Sequence, residues 1–468
     1  MSAGPSSRRW LFFLLSAVAL TRIPFLTTGY GSDPDAWRVA HVSNVFYETG
    51  QYIPSRLPGY PVHEIASAPF VALGGAPLAN SATLVVFLIL LVVWHKFVLH
   101  HARHPRLLTV LLAFTPLLWA NSAATLDYIW SLLFIFLSFN SGLKRRPVSA
   151  GIWIGLAIGC RPTNVVAALG IMVLFLLVDR RWRQVSVFGI SAVLSTVIAL
   201  SPLLLTYGFA DWIRRTIEIT SASRQPLSTV LPFFAYRTVY SLGPLATITA
   251  SVLLIGYRSS LVRILREKNL IVIASTGIVL ACLGLFAVAP IERAYVIPAI
   301  PFLYLLLDRV SRQPALILFT LCVISFGFVN PDVIVHQGRV GTPGLNIDEG
   351  IVVKEWRLRQ LHAYRRHALV RLAVTGKTIV MVGSPDEFIL MNPDARIANG
   401  RQWRPDEDTV GQSLLDPDLT FVSTLPLPDV RQKESDGYSI YCMDWATPLV
   451  TYRQGYDPRR AGIVILHF

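Results

Sequence analysis

The sequence predicts an α-helical protein that crosses a bilayer about eleven times and carries a small α/β domain after the last crossing. Three observations predict it. Of 468 residues, 53% are hydrophobic and 15% charged, against about 45–50% and about 25% in soluble domains; mean hydropathy is +0.51. The apolar residues fall in blocks of spanning length, which a soluble core does not need. Beyond about Asn330 the composition turns polar and rich in Asp, Arg and Pro, with no such block. The expected division is a membrane domain over 1–330 and a second domain over 331–468.

The formal net charge of +14 sits mostly in short Lys/Arg clusters between apolar blocks, as the positive-inside rule requires. No basic face with interleaved aromatics appears, which excludes nucleic acid as the partner; the bilayer is the expected one. Cys160, Cys282, Cys322 and Cys442 have neither ligand nor disulfide spacing. With Cys442 alone in the second domain, a bacterial cytoplasmic membrane is favoured over a eukaryotic secretory one.

Arg8 and Arg9 precede the first span, about 9–27, and place its far end outside. No small-residue cleavage site follows, so this run is expected to remain as a span rather than leave as a signal peptide. The outer loop that follows, 28–80, is too long for a simple connector. Within it Ala36, Val39, Val42 and Phe46 recur at helical spacing, with Trp37 beside them. Gly50 and Pro54 end that helix, and Arg56-Leu57-Pro58-Gly59-Tyr60-Pro61 makes a rigid turn. A short amphipathic piece around Ile65, Pro69 and Phe70 completes a loop expected to lie on the membrane surface.

Further spans are expected near 82–99, 107–118, 128–139, 148–159, 165–178, 185–207, 231–255, 270–289, 296–307 and 315–329, with 208–229 as a second outer loop. Several are too short to cross about 30 Å of hydrocarbon unaided. Such pieces fit a bundle whose outer half is hollowed into a wet cavity. Basic residues in the inner turns outnumber those in the outer turns, and an odd number of spans sends the C-terminal domain outside. In that domain Thr378–Val382 and Gly462–Leu466 read as strands and 355–374 as a basic helix.

The acidic stretch Gly31-Ser32-Asp33-Pro34-Asp35 lies where the chain leaves the bilayer. One of its carboxylates can cap the following helix. The other can face a cavity as a general base, taking the proton from an acceptor hydroxyl or amine, and apolar walls would raise its pKa into a useful range. Asp33 as base with Asp35 as cap is slightly favoured over the reverse. Asp127 beside an outer turn is either a cavity residue or the structural partner of Arg161. Arg161, Arg237 and Arg293 interrupt apolar regions on the outer side, where a guanidinium can grip phosphate and offset charge on a leaving group; the plain alternative is an arginine snorkelling to the interface. Arg56, Tyr60, His63, Glu64, Glu292 and Tyr295 complete the candidate substrate cavity. His63 and Glu64 are too small a constellation for a metal site, and no Cys/His cluster supports zinc. No metal or other cofactor is assigned; a carboxylate-held divalent ion stays open.

The first outer loop with its paired acids, the Arg56–Pro61 turn, the short paired spans and the late run Ile291-Glu292-Arg293-Ala294-Tyr295-Val296-Ile297-Pro298 together resemble the GT-C superfamily of polytopic glycosyltransferases, with the last run similar to a segment of its protein O-mannosyltransferase and ArnT-like branches. The resemblance covers about residues 8–330. It implies transfer of a sugar, usually with inversion, from a polyprenyl-phosphate donor to a glycan, lipid or protein acceptor on the outer face. It also implies a loop acid as base, Asp33 or Asp35, and a phosphate-gripping cation, most naturally Arg293. Many members have Asp-Glu where this chain has Asp33-Pro34-Asp35, so the choice of base stays open. Two other readings compete: a transporter or flippase for a lipid-linked glycan, which calls for related repeats and helices broken near the midplane, and a non-catalytic membrane scaffold.

Overall fold

A computed structural model of the chain describes residues 5–179, 182–222, 227–267, 269–288, 290, 292–334, 343–370, 377–383, 396–398, 419–422 and 424–467. Arg180, Arg181, Lys268, Ile291 and 371–374 lie outside the described residues.

Helix α1 (Pro5–Leu26) leads through a short turn to α2 (Pro34–Thr49). Asp33 is the N-cap of α2, Pro34 supplies a preset φ at its first position, and Gly50 closes it in the left-handed region with φ 69°. Of the face predicted from spacing, Ala36, Val39 and Val42 are buried, with Trp37 beside them, whereas Phe46 near the end of the helix is half-buried. The second loop piece and the second span follow one another as two helical stretches of α3 (Pro61–His101), joined across a kink. The joint is Gly75, at φ 56° and ψ −149°, between Pro69 and Pro77. That backbone is open to glycine and strained for other residues, so periodicity broke there although the helix resumes.

The bundle continues as α4 (Pro105–Phe114), α5 (Pro116–Ser122), α6 (Tyr128–Leu143), α7 (Pro147–Cys160), α8 (Val165–Asp179) and α9 (Trp182–Tyr207). Helices α7 and α9 touch backbone to backbone. A Cβ on Gly151 would meet Ser191 Oγ at 1.9 Å, one on Gly155 the Ser195 side chain at 2.5 Å, and one on Gly159 the Ala199 Cβ at 2.5 Å. Small residues four apart on both helices permit the approach, and it holds the C-terminal end of α7, which carries Arg161.

The segment expected as a second outer loop contains a helix, α10 (Phe209–Ala222). It carries no apolar block, which is why hydropathy misses it, but Phe209, Ile213 and Ile217 line one side at helical spacing. Helices α11 (Leu227–Leu242) and α12 (Pro244–Gly256) follow, the pair bent by 95° between Leu242 and Pro244. Then come α13 (Arg258–Arg266), α14 (Leu270–Val288), a 3₁₀ turn over Arg293–Ala299, α15 (Ile300–Val310) and α16 (Gln313–Ser325).

Among the described residues, four helices are long and apolar enough to cross a membrane: Ser7–Leu26, Pro61–His101, Trp182–Tyr207 and Leu270–Val288, with a fifth if the bent pair is one span. Helices occupy the other expected positions but are shorter, from 10 residues in α4 to 16 in α6. One apolar core runs through the bundle, centred on Trp94, Phe97, Phe136, Phe139 and Phe302.

After α16 a two-stranded antiparallel ribbon, β1 (Val329–Ile334) with β2 (Pro343–Glu349), leads into α17 (Ile351–Val370). Strands β3 (Thr378–Met381), β4 (Arg396–Ala398), β5 (Leu419–Val422), β6 (Ser439–Met443) and β7 (Val464–Leu466) form a parallel sheet in the order β4-β5-β3-β6-β7. Helices Leu427–Ser435 and Thr447–Gln454 accompany it. Val380, Met381, Cys442 and Met443 are fully buried in a core separate from that of the bundle, as near-continuous apolar runs in parallel strands require.

Candidate active site

Five elements end at one face of the bundle. The N-terminus of α2 brings Asp33 and Asp35, the turn before α3 brings Arg56 and Tyr60, the start of α6 brings Asp127 and Tyr128, the end of α7 brings Arg161, and the 3₁₀ turn before α15 brings Glu292, Arg293 and Tyr295. The turn is itself pinned by Glu64, whose carboxylate accepts from Tyr52 Oη at 2.5 Å, the Ser55 N–H at 2.9 Å and the Tyr60 N–H at 3.4 Å.

The charges form a continuous chain. Arg56 bridges two acids, with Nε 3.0 Å from Asp35 Oδ2 and Nη2 3.2 Å from Asp127 Oδ1. Arg161 Nη1 lies 2.6 Å from Asp127 Oδ2, and its Nη2 donates to Tyr128 Oη at 2.9 Å. Tyr128 in turn donates to Glu292 Oε2 at 2.5 Å. The Arg161 guanidinium rests on aromatic faces, 3.9 Å from the centre of Tyr128 and 4.9 Å from that of Tyr295. Arg56 sits 4.2 Å over Tyr60. A buried guanidinium keeps its charge here because carboxylates and ring faces replace its water.

The two loop acids are not equivalent. Asp35 is occupied on both oxygens, Oδ1 by Arg38 at 3.0 Å and Oδ2 by Arg56 at 3.0 Å. Asp33 caps α2 with Oδ1, accepting the Asp35 N–H at 2.9 Å, and its Oδ2 has no partner among the described residues. Burial, then the nearby carboxylates of Asp35 and Glu292, push Asp33 up to about 7. The expectation that Asp35 caps the helix is therefore corrected. Asp33 is the cap because the proline after it leaves the Asp35 N–H as the first one in reach.

Asp127 and Arg161 are partners, and both are joined to Asp35 through Arg56. Arg293 stands at the edge of the cluster, 3.4 Å from Tyr236 Oη and 5.6 Å from the centres of Tyr236 and Tyr240. Arg237 lies over Phe233, 5.3 Å away, and makes no ion pair among the described residues. His63 is fully buried, 3.3 Å from Ser67 through Nε2 and edge-on to Trp130 at 5.7 Å, with Nδ1 unpartnered. Among the described residues no three His, Cys, Asp or Glu side chains converge as metal ligands would.

The guanidinium groups of Arg56 and Arg161 and the rings of Tyr60, Tyr128 and Tyr295 gather at this face. A cavity of about 60 Å³ remains beside Arg161, lined also by Thr163, Asn164, Phe286, Tyr295 and Pro298. Sequence reasoning missed Tyr128 and Arg38. Arg38 was detectable as the i+3 partner of Asp35, whereas Tyr128 gave no signal beyond its place next to Asp127.

No protein-family model matches the chain, and no curated protein matches it by sequence. Solved structures do. The structure of ArnT from Cupriavidus metallidurans bound to undecaprenyl phosphate superposes with a TM-score of 0.56 at 13% identity, covering 91% of this chain and 90% of that one. The apo state of the same protein gives 0.56 at 13% identity, over 88% and 89%. This is the GT-C fold. The coverage extends past the bundle, so the GT-C likeness includes much of the region after α16, which the sequence resemblance did not reach.

Proposed function

We propose that the protein is a membrane glycosyltransferase that moves a sugar from a polyprenyl-phosphate carrier to a glycan, lipid or protein acceptor at the outer face of a bacterial cytoplasmic membrane. The donor class rests on the GT-C fold and on the undecaprenyl phosphate bound to ArnT. The observation that carries the chemistry is the contrast between the loop acids: Asp33 has an oxygen free for substrate and a pKa of about 7, and Asp35 has none free. Asp33 takes the proton of the acceptor hydroxyl or amine as that atom attacks the anomeric carbon. The bond from that carbon to the phosphate oxygen breaks with inversion, and the electron pair leaves on the polyprenyl phosphate. Arg293, with Arg161 behind it and Arg237 beside it, offsets the charge that grows there. Asp127 and Glu292 keep the arginines oriented, and about eleven spans surround this outer site, with the α/β domain outside.

The test uses purified protein in lipid, a synthetic polyprenyl-phosphate sugar and candidate acceptors, comparing wild type with Asp33→Asn and Asp35→Asn. Loss of transfer in Asp33→Asn with a folded protein supports the assignment; full turnover by both variants and by the double variant ends it. One observation favours the transporter reading, the 95° break between α11 and α12, because broken spans are where transporters hold substrate. Lipid-linked sugar that crosses sealed vesicles without any transfer to acceptor would establish that reading instead.

A further inference from the structure

Helix α17 reaches the turn before α2 across 323 residues. Glu355 on α17 accepts the Ser32 N–H on Oε1 at 3.2 Å, and its Oε2 takes the Ser32 hydroxyl. Ser32 is the residue before Asp33. Arg359, one turn further along α17 and fully buried, holds Glu355 Oε1 through Nε at 2.6 Å. Its other two nitrogens donate to backbone carbonyls, Nη1 to Phe25 at 2.6 Å and Nη2 to Ala123 at 3.0 Å. Phe25 belongs to the end of α1, and Ala123 to the turn that leads into Asp127. Val352 on the same helix is buried against Phe25, Trp119 and Ala123, so α17 is seated by packing as well as by charge.

We propose that Glu355 and Arg359 are positioning residues: α17 fixes, through Ser32, the backbone from which Asp33 projects, and ties it to the turn carrying Asp127. The proposal rests on the reading of Asp33 as base. The carbonyls of Gly29, Tyr30 and Gly31 are held by Asn80, the Thr125 N–H and the Trp37 indole, so the physical content is that the anchor on Ser32 restrains the last residue of the turn, the one from which Asp33 continues. A buried Arg with all three nitrogens engaged cannot follow a movement of Ser32, so the anchor is rigid. The polar segment after the last span thus becomes part of the membrane site.

The experiment uses the full chain in nanodiscs and compares wild type, Glu355→Ala, Glu355→Gln, Ser32→Ala and the Ser32→Ala/Glu355→Ala pair, with Arg357→Ala as a control on the exposed side of α17. Backbone hydrogen exchange over 28–38 should accelerate in Glu355→Ala while α3 and α6 keep their protection. The turnover number should fall about tenfold or more with KM for the donor within about twofold, since a small misplacement of a reacting group costs rate rather than affinity. Glu355→Gln, which keeps an acceptor for the Ser32 N–H, should recover most of both, and the Ser32 and Glu355 effects should not add. Unchanged exchange over 28–38, additive effects, or loss of protection throughout the bundle would each overturn the proposal. Exchange is read without any sugar donor, so a wild-type protein without transferase activity would sink the functional reading and leave the anchoring result intact.

Discussion

Two carboxylates, Asp308 buried near the end of α15 and Asp33 half-buried at the start of α2, differ in how much of their bonding capacity is used. Asp308, near the end of α15, is 1% exposed and accepts the backbone N–H groups of Arg103 at 2.8 Å and His104 at 3.0 Å, with His104 Nδ1 at 3.0 Å as well. It closes the turn between α3 and α4, and Arg309 beside it holds the His101 carbonyl. Asp33 makes one hydrogen bond and keeps Oδ2 free, with two like charges near it. Asp308 is withdrawn from solvent fully and Asp33 in part. Spare bonding capacity in a setting that resists ionisation belongs only to the second, and it is on this difference that the proposed role of Asp33 as a base rests.

The largest expected effect breaks this contrast at its active end. Asp33→Asn should cost about 10²–10⁴ in transfer rate and should not destabilise the protein above neutral pH. The sign follows from linkage: a folded-state pKa of about 7 lies above the unfolded value, so the stabilisation is complete below the unfolded pKa and is lost as pH rises through about 7. An uncharged amide escapes that loss, so a thermal scan at pH 8 should show Asp33→Asn melting no lower than wild type. A lower midpoint would mean that the cap matters more than the charge.

At the structural end the pattern should reverse. Asp308→Ala should lower stability by about 1.5–3 kcal/mol, as expected for lost charged hydrogen bonds, with transfer by the surviving folded protein close to wild type. Denaturation and turnover measured on the same sample decide it.

A third change attacks the frame that carries Arg161. Gly155→Val places atoms where Ser195 already lies and should destabilise by about 1–3 kcal/mol, visible as a lower melting temperature; Gly189→Ala, which meets nothing within 4 Å, should not.

The smallest effect is a shift in a profile. Turnover should rise with pH through about 7 as Asp33 deprotonates. Glu292→Gln removes one of the charges that raise it, so the rising limb should move to lower pH. A limb that stays in place would show that Glu292 does not act on Asp33.

Much of this was legible in advance. The spacing of Ala36, Val39 and Val42 marks the buried face of α2, and Gly50 marks its end. The proline-rich turn delivers Arg56 to the acids, and the chain order places Asp127, Arg161 and Glu292 at the same face as the loop. Illegible was α10, because amphipathic helices carry no hydropathy block. Which aspartate caps α2 was also hidden, since both are good capping residues and only the backbone decides which N–H lies in reach.

By itself, then, the sequence determines a membrane-embedded helical chain with a polar C-terminal region, its apolar faces, and a short list of charges at one end. Those follow from local periodicity and from the cost of placing charge in hydrocarbon, both of which act within a few residues. The tertiary structure decides the rest: the Arg56 bridge between Asp35 and Asp127, the free oxygen on Asp33, and the reach of Glu355 across 323 residues to Ser32. Contacts between distant segments depend on where five helix ends meet, and no local pattern encodes that meeting.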